Sequence, residues 1–121
     1  MIKCTDLRIG NIVSNGDPVI LKFYMLNSML DGDYVDYDPI DLDEEWCRKF
    51  GFVNDSVKNE DGDDVYFWKI KKPNKENLYL DANSLQPTDC GFPMVDYEIK
   101  FVHQLQNFYY FLTGAELETV Q

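Results

Sequence analysis

Apolar residues recur at intervals of three and four near the end of the chain. In YEIKFVHQLQNFYYFLTG, residues 97–114, Phe101, Leu105, Phe108 and Leu112 are spaced four, three and four apart, and Val102 and Tyr109 widen the stripe. This period predicts an amphipathic helix over 97–114, stopped by Gly114. A shorter helix is expected over 43–50, where Leu42, Trp46 and Phe50 share one stripe. Asp43 can cap its free N–H groups, Glu44 and Glu45 suit the positive end of the helix dipole, Arg48 and Lys49 suit the other end, and Gly51 supplies the stop.

Elsewhere the pattern is that of strands. Residues 7–26, LRIGNIVSNGDPVILKFYML, read as two strands joined by SNGDP, with Asn15-Gly16 as the hairpin signal. Gly32 can turn the chain into a third short strand, Tyr34–Tyr37, which Pro39 ends. NDSVKNEDGDD, residues 54–64, reads as a polar loop. VYFWKIKK at 65–72 reads as a strand paired through PNKEN with LYLDA at 78–82, and residues 83–94 read as irregular. These elements predict an α+β fold: a small antiparallel sheet with one short helix and one long C-terminal helix packed on it. A length of 121 residues suits a single domain over 1–121.

Composition supports a packed chain, with 45% hydrophobic and 15% aromatic residues. No apolar run is long enough for a membrane span, and MIKCTDLRIGN lacks the apolar stretch of a secretion signal. Cys4, Cys47 and Cys90 are odd in number and widely spaced, which suits free thiols in a reducing cytoplasm.

Charge changes the picture most. Of the net −11, residues 31–64 hold thirteen acidic against three basic residues, a net of −10. DGDYVDYDPIDLDEEW, residues 31–46, has eight carboxylates and no basic residue. Such a field repels nucleic acid and anionic membrane and attracts basic protein surfaces.

The chemistry these residues offer is limited. With Gly62 at the sixth position of a calcium loop, Val57 and Trp68 fall where oxygen ligands belong. With Asp31 at the first position, Val35 and Asp36 stand at the fifth and sixth. Neither register works. A single histidine, His103, and three dispersed cysteines match no transition-metal spacing and no nucleophilic triad. No catalytic residue, metal site or cofactor is therefore assigned. YFWKIKKPNK, residues 66–75, mixes aromatics with lysines, but alternation puts Trp68 and Ile70 on one strand face and Lys69 and Lys71 on the other. Aromatics turned to the core argue against direct nucleic-acid binding.

Two surfaces remain as partner contacts. The pairs Asp31/Asp33 and Asp36/Asp38 each repeat at an interval of two, about 7 Å in extended chain. That is comparable to phosphates along one strand of nucleic acid. Glu60, Asp61, Asp63 and Asp64 continue the acidic region, and Tyr34 and Tyr37 could anchor it. The plainer reading of all these acids is a solvated loop that keeps the protein soluble. The second surface is the polar ladder His103, Gln106, Asn107 and Tyr110, opposite the apolar stripe of the C-terminal helix. Its plainer reading is a solvated or packed-over face.

Three blocks, LRIGN at 7–11, PIDLDEEWCRKFGF at 39–52 and EIKFVHQLQNFYYFLTGAEL at 98–117, resemble a set of small uncharacterised proteins from phages and prophages of Bacteroidota. The resemblance covers both ends and the middle, with loops of free length between. Asp43 stands at a usual Thr, Cys47 at a bulkier apolar residue, and the central loops are more acidic than is usual. The family brings no assigned catalytic residues. A small acidic protein of this kind resembles the anti-CRISPR proteins and other inhibitors of host immunity. The resemblance implies a cytoplasmic, non-enzymatic inhibitor, a monomer or small homo-oligomer. It would bind a basic nucleic-acid-binding protein such as a Cas9- or Cas13-type effector. Two alternatives stay open: a phage accessory or virion-assembly protein, and a divalent-metal-dependent enzyme built on the acidic cluster.

Overall fold

The structure, a computed structural model, describes residues 7–22, 37–89 and 92–120. The fold is α+β, with small antiparallel sheets and, among the described residues, two helices. The chain divides into two compact units, residues 1–42 with 100–117 and residues 43–99 with 118–121. Among the described residues no helix is long and apolar enough to cross a membrane.

In the first unit β1 (Ile12–Ser14) and β2 (Pro18–Ile20) form an antiparallel hairpin, with Ile12 opposite Ile20 and Ser14 opposite Pro18. The loop between them is the expected one: the Asn15 side chain accepts from the Asp17 N–H and Ser14 Oγ from the Gly16 N–H. Past the hairpin, Ser14 and Asp38 exchange backbone hydrogen bonds. The proposed strand Tyr34–Tyr37 lies outside the described residues except for Tyr37.

The C-terminal helix, α2 (Val102–Thr113), buries Val102, Leu105, Phe108 and Tyr109 of the expected stripe, whereas Phe101 is half-buried and Leu112, in the last turn, is exposed. It begins five residues later than the sequence suggested. Residues 100–101 are taken up by an extended partner instead. The Leu42 N–H donates to the Lys100 carbonyl, Asp41 bridges Phe101, and the Val102 N–H donates to the Ile40 carbonyl. Gln104 Oε1 then accepts from the N–H groups of Lys100 and Phe101, satisfying donors that a longer helix would have used internally. At the other end Gly114 sits at φ +74° and donates to the Tyr110 carbonyl, the left-handed stop that a side chain would resist.

The second unit opens with α1 (Glu44–Lys49). Asp43 is extended and its carboxylate accepts from the Trp46 N–H at 2.9 Å, so the cap is the one the sequence suggests. Glu44–Arg48 and Glu45–Lys49 pair one turn apart on the exposed face, each worth about 0.3–0.5 kcal/mol. Trp46, Cys47 and Phe50 are buried. Burial, with Asp43 and Glu44 nearby, pushes the Cys47 thiol up to about 12, so it stays protonated and behaves as a small core residue. Asp43→Ala should cost about 1 kcal/mol of stability through the lost cap, read as a lower urea midpoint with the denaturant slope unchanged.

Five strands follow in an antiparallel meander ordered β3-β4-β5-β6-β7. They are β3 (Val53–Lys58), β4 (Asp64–Lys71), β5 (Asn77–Asp81), β6 (Pro87–Asp89) and β7 (Phe92–Pro93). Trp68 faces Leu80 and Ile70 faces Leu78 across one side of the sheet. That side is the core side, with Trp68, Leu78 and Leu80 buried. Lys69 and Lys71 lie on the opposite side, as alternation requires.

Two expectations need correction here. Residues 54–64 are not a loop throughout, because Val53–Lys58 is a strand paired along its whole length with β4. All six of its residues are exposed, so no buried face imposes a full alternation, and Val53 and Val57 are its only apolar positions. Residues 83–94 contain β6 and β7, strands of three and two residues, too short to make a pattern.

Candidate functional site

The outer end of the β3–β4 ribbon is exposed on both faces. Every residue from Val53 to Tyr66 is exposed, and Val57 pairs with Val65, Lys58 with Asp64. Its turn is built by Asn59, whose side-chain oxygen accepts from the N–H groups of both Asp61 and Asp63 at 3.0 Å. The Asn59 N–H donates to the Asp63 carbonyl, and Gly62 at φ +83° takes the left-handed position of the turn. The turn thus spends Asn59 and backbone amides on its own geometry and leaves the carboxylates outside.

Four acidic side chains therefore share one tip: Glu60, Asp61, Asp63 and Asp64. Asp64 is neutralised by Lys58 at 3.0 Å. Glu60, Asp61 and Asp63 have no cation partner among the described residues. Further down the ribbon, Asp55 binds Lys69 at 2.7 Å with one oxygen and accepts from the Ser56 N–H with the other. The lysine, and then the Ser56 N–H, hold the Asp55 carboxyl below the usual carboxylate range, and the same contact pushes Lys69 up. Asp55 is exposed and Lys69 half-buried, so solvent screens the pair and it sets the local field more than the stability.

The other acids expected at the site are placed differently. Asp38, exposed, and Tyr37, half-buried, belong to the first unit. Asp31, Asp33, Tyr34 and Asp36 lie outside the described residues.

The polar ladder on α2 requires a correction. His103 and Gln106 are buried, at 4% and 1% exposure, Asn107 is half-buried, and Tyr110 alone is exposed. Gln106 is spent on backbone: Oε1 accepts from the Ile12 N–H at 2.7 Å, and Nε2 donates to the carbonyls of Gly10 and Leu117. Asn107 Oδ1 accepts from Arg8 Nε and Asn11 Nδ2, both at 2.8 Å. Arg8 pairs with Glu116 at 2.6 Å and lies over the Tyr110 ring. Asn11 is fully buried and closes the turn by accepting from the Arg8 N–H. Two of the three blocks that stood out in the sequence, LRIGN and HQLQN…LTGAEL, are thus one hydrogen-bonded network within the first unit. Their polar residues hold the N-terminal turn to the helix.

One further concavity, a cleft of about 510 Å³, is lined in part by Asp81, Gln86, Asp96, Tyr97 and Glu98 in the second unit. Asp81 is committed to local structure: it accepts from the N–H groups of Ser84 and Asn83 and from the Ser84 hydroxyl. These bonds, led by the Ser84 N–H, hold its carboxyl below the usual range. Gln86 bonds both backbone groups of Ile99. Among the described residues no three His, Cys, Asp or Glu side chains gather closely enough to hold a metal ion.

What the sequence reading missed is the ribbon as a built object. Its signals were present in Asn59 and Gly62 at turn spacing, and in Val53, Val57 and Val65 at even spacing. Comparison with known proteins adds nothing to this geometry: no protein-family model, curated protein or solved structure matches the chain.

Proposed function

We propose that this protein is a non-enzymatic, anti-CRISPR-like inhibitor of phage origin. It occupies the basic surface of a nucleic-acid-guided nuclease, in the cytoplasm of an infected or lysogenic bacterium. The observation that carries this reading is the acidic tip of the β3–β4 ribbon. A polypeptide that must enter a nucleic-acid groove needs negative charge on a narrow, protruding element. Glu60, Asp61 and Asp63, which have no cation partner among the described residues, supply negative charge on a two-stranded ribbon exposed on both faces. Nuclease grooves are positively charged because they hold guide and target backbones. Occlusion of such a groove is stoichiometric and uses no catalytic group.

The test is capture of tagged protein from a lysate of a CRISPR-bearing host, washed at low and at high salt. Recovery of one guided nuclease, lost at high salt, is the expected result. Recovery of virion proteins only, or of no partner, contradicts the reading.

A further inference from the structure

Charge alone gives a fast but short-lived encounter, because exposed charges steer association while apolar anchors set the lifetime of a complex. The ribbon carries such anchors on one face. Residues directly paired across an antiparallel ladder share a face, so Val57 and Val65 lie together, and Phe67 follows Val65 on the same side of β4. Phe67 meets Tyr79 of β5 edge to face, with ring centroids 5.3 Å apart. Val57, Val65 and Tyr79 are 55%, 44% and 37% exposed. Single exposed apolar residues are ordinary. Here three of them and the half-buried Phe67 occupy neighbouring positions on three adjacent strands, beside the Asp55–Lys69 pair, on the sheet face opposite the one that buries Trp68, Leu78 and Leu80.

The geometry points to this face, Val57–Val65–Phe67–Tyr79, as the apolar anchor by which the acidic ribbon docks on a basic protein surface. This assignment rests on the inhibitory function proposed above and names the part of the contact that gives it a lifetime. Charge selects the occupant. A second copy, itself at −11, would bring two acidic tips to one face. Nucleic acid and anionic membrane are repelled by the same field. A partner with lysines and arginines around an apolar pocket matches both halves of the ribbon: carboxylates at the rim and aliphatic and aromatic groups at the centre.

The experiment is surface-immobilised binding to a panel of purified single-chain RNA-guided nucleases, each free of guide. Four forms of the full chain are compared: wild type, Val57→Thr with Val65→Thr, Tyr79→Ala, and Glu60→Gln with Asp61→Asn and Asp63→Asn. The valine-to-threonine pair keeps β-branching and size, so the strands persist, and a thermal melt checks each form. Both apolar variants should dissociate at least tenfold faster with association rate and salt slope unchanged, and the acid variant should associate more slowly. If the acid variant loses binding but the apolar variants dissociate like wild type, the anchor is elsewhere and the inhibitory reading stands alone. If wild type binds no nuclease of the panel, the inhibitory reading falls and the anchor falls with it.

Discussion

Replacing Gln106 by leucine should cost roughly 3–5 kcal/mol of folding stability, a large part of what a domain of this size has. Leucine fills a similar volume, so packing is not what is lost. Three backbone groups lose their partner at once: the Ile12 N–H and the carbonyls of Gly10 and Leu117. Each buried group left without a bond costs about 1–3 kcal/mol, and these surround a side chain with 1% exposure. Urea unfolding followed by tryptophan fluorescence and by far-UV circular dichroism checks it, and a loss under about 1 kcal/mol would mean that water replaces the amide. Gln106→Glu is the informative companion. The ionised carboxylate still accepts from Ile12 but faces two carbonyls, which favours its neutral form and raises its folded pKa above the unfolded value. That variant should therefore be most stable below the unfolded glutamate pKa and lose stability as pH rises through the folded one.

The second large effect is on association. The Glu60→Gln, Asp61→Asn and Asp63→Asn form removes the three tip carboxylates that have no cation partner among the described residues and leaves the Lys58–Asp64 pair intact. Asn59 bonds backbone N–H groups of residues 61 and 63, not their side chains, so the turn should survive. Steered association exceeds the unsteered rate by orders of magnitude. The variant should bind a guide-free nuclease about ten- to a hundredfold more slowly at low salt. The difference should close at high ionic strength, where the screening length shrinks to about 3 Å. A gap that persists at high salt would mean that these side chains make short-range contacts instead of steering.

The parts of this fold that were legible in the sequence are those whose signals are local. Asp43 caps the helix that follows it, and Ser14-Asn15-Gly16 turns the hairpin that contains it. The failures share a physical cause. β3 is exposed along its whole length, so no buried face imposes a period on it. The start of α2 is decided by Ile40 and Leu42, about 60 residues upstream, which pair with residues 100–102 before the helix can extend backwards. Gln106 and Asn107 look like surface residues on a helical wheel because their partners, Arg8 to Ile12, lie at the far end of the chain. The charge of the candidate site was legible from composition, but its division was not. Lys58 and Lys69 neutralise Asp64 and Asp55, while Glu60, Asp61 and Asp63 stay open, and only the register of β3 on β4 decides which is which.

The central claim is that the acidic ribbon takes the place of nucleic acid on a basic groove. The most direct measurement is displacement of a fluorescent guide RNA from a purified guided nuclease, followed by polarisation as the protein is added. The account predicts release of the RNA at one protein per nuclease, weakened by salt and lost in the three-carboxylate variant. Binding to the nuclease with the RNA still held, or release that the variant performs as well as wild type, would contradict it.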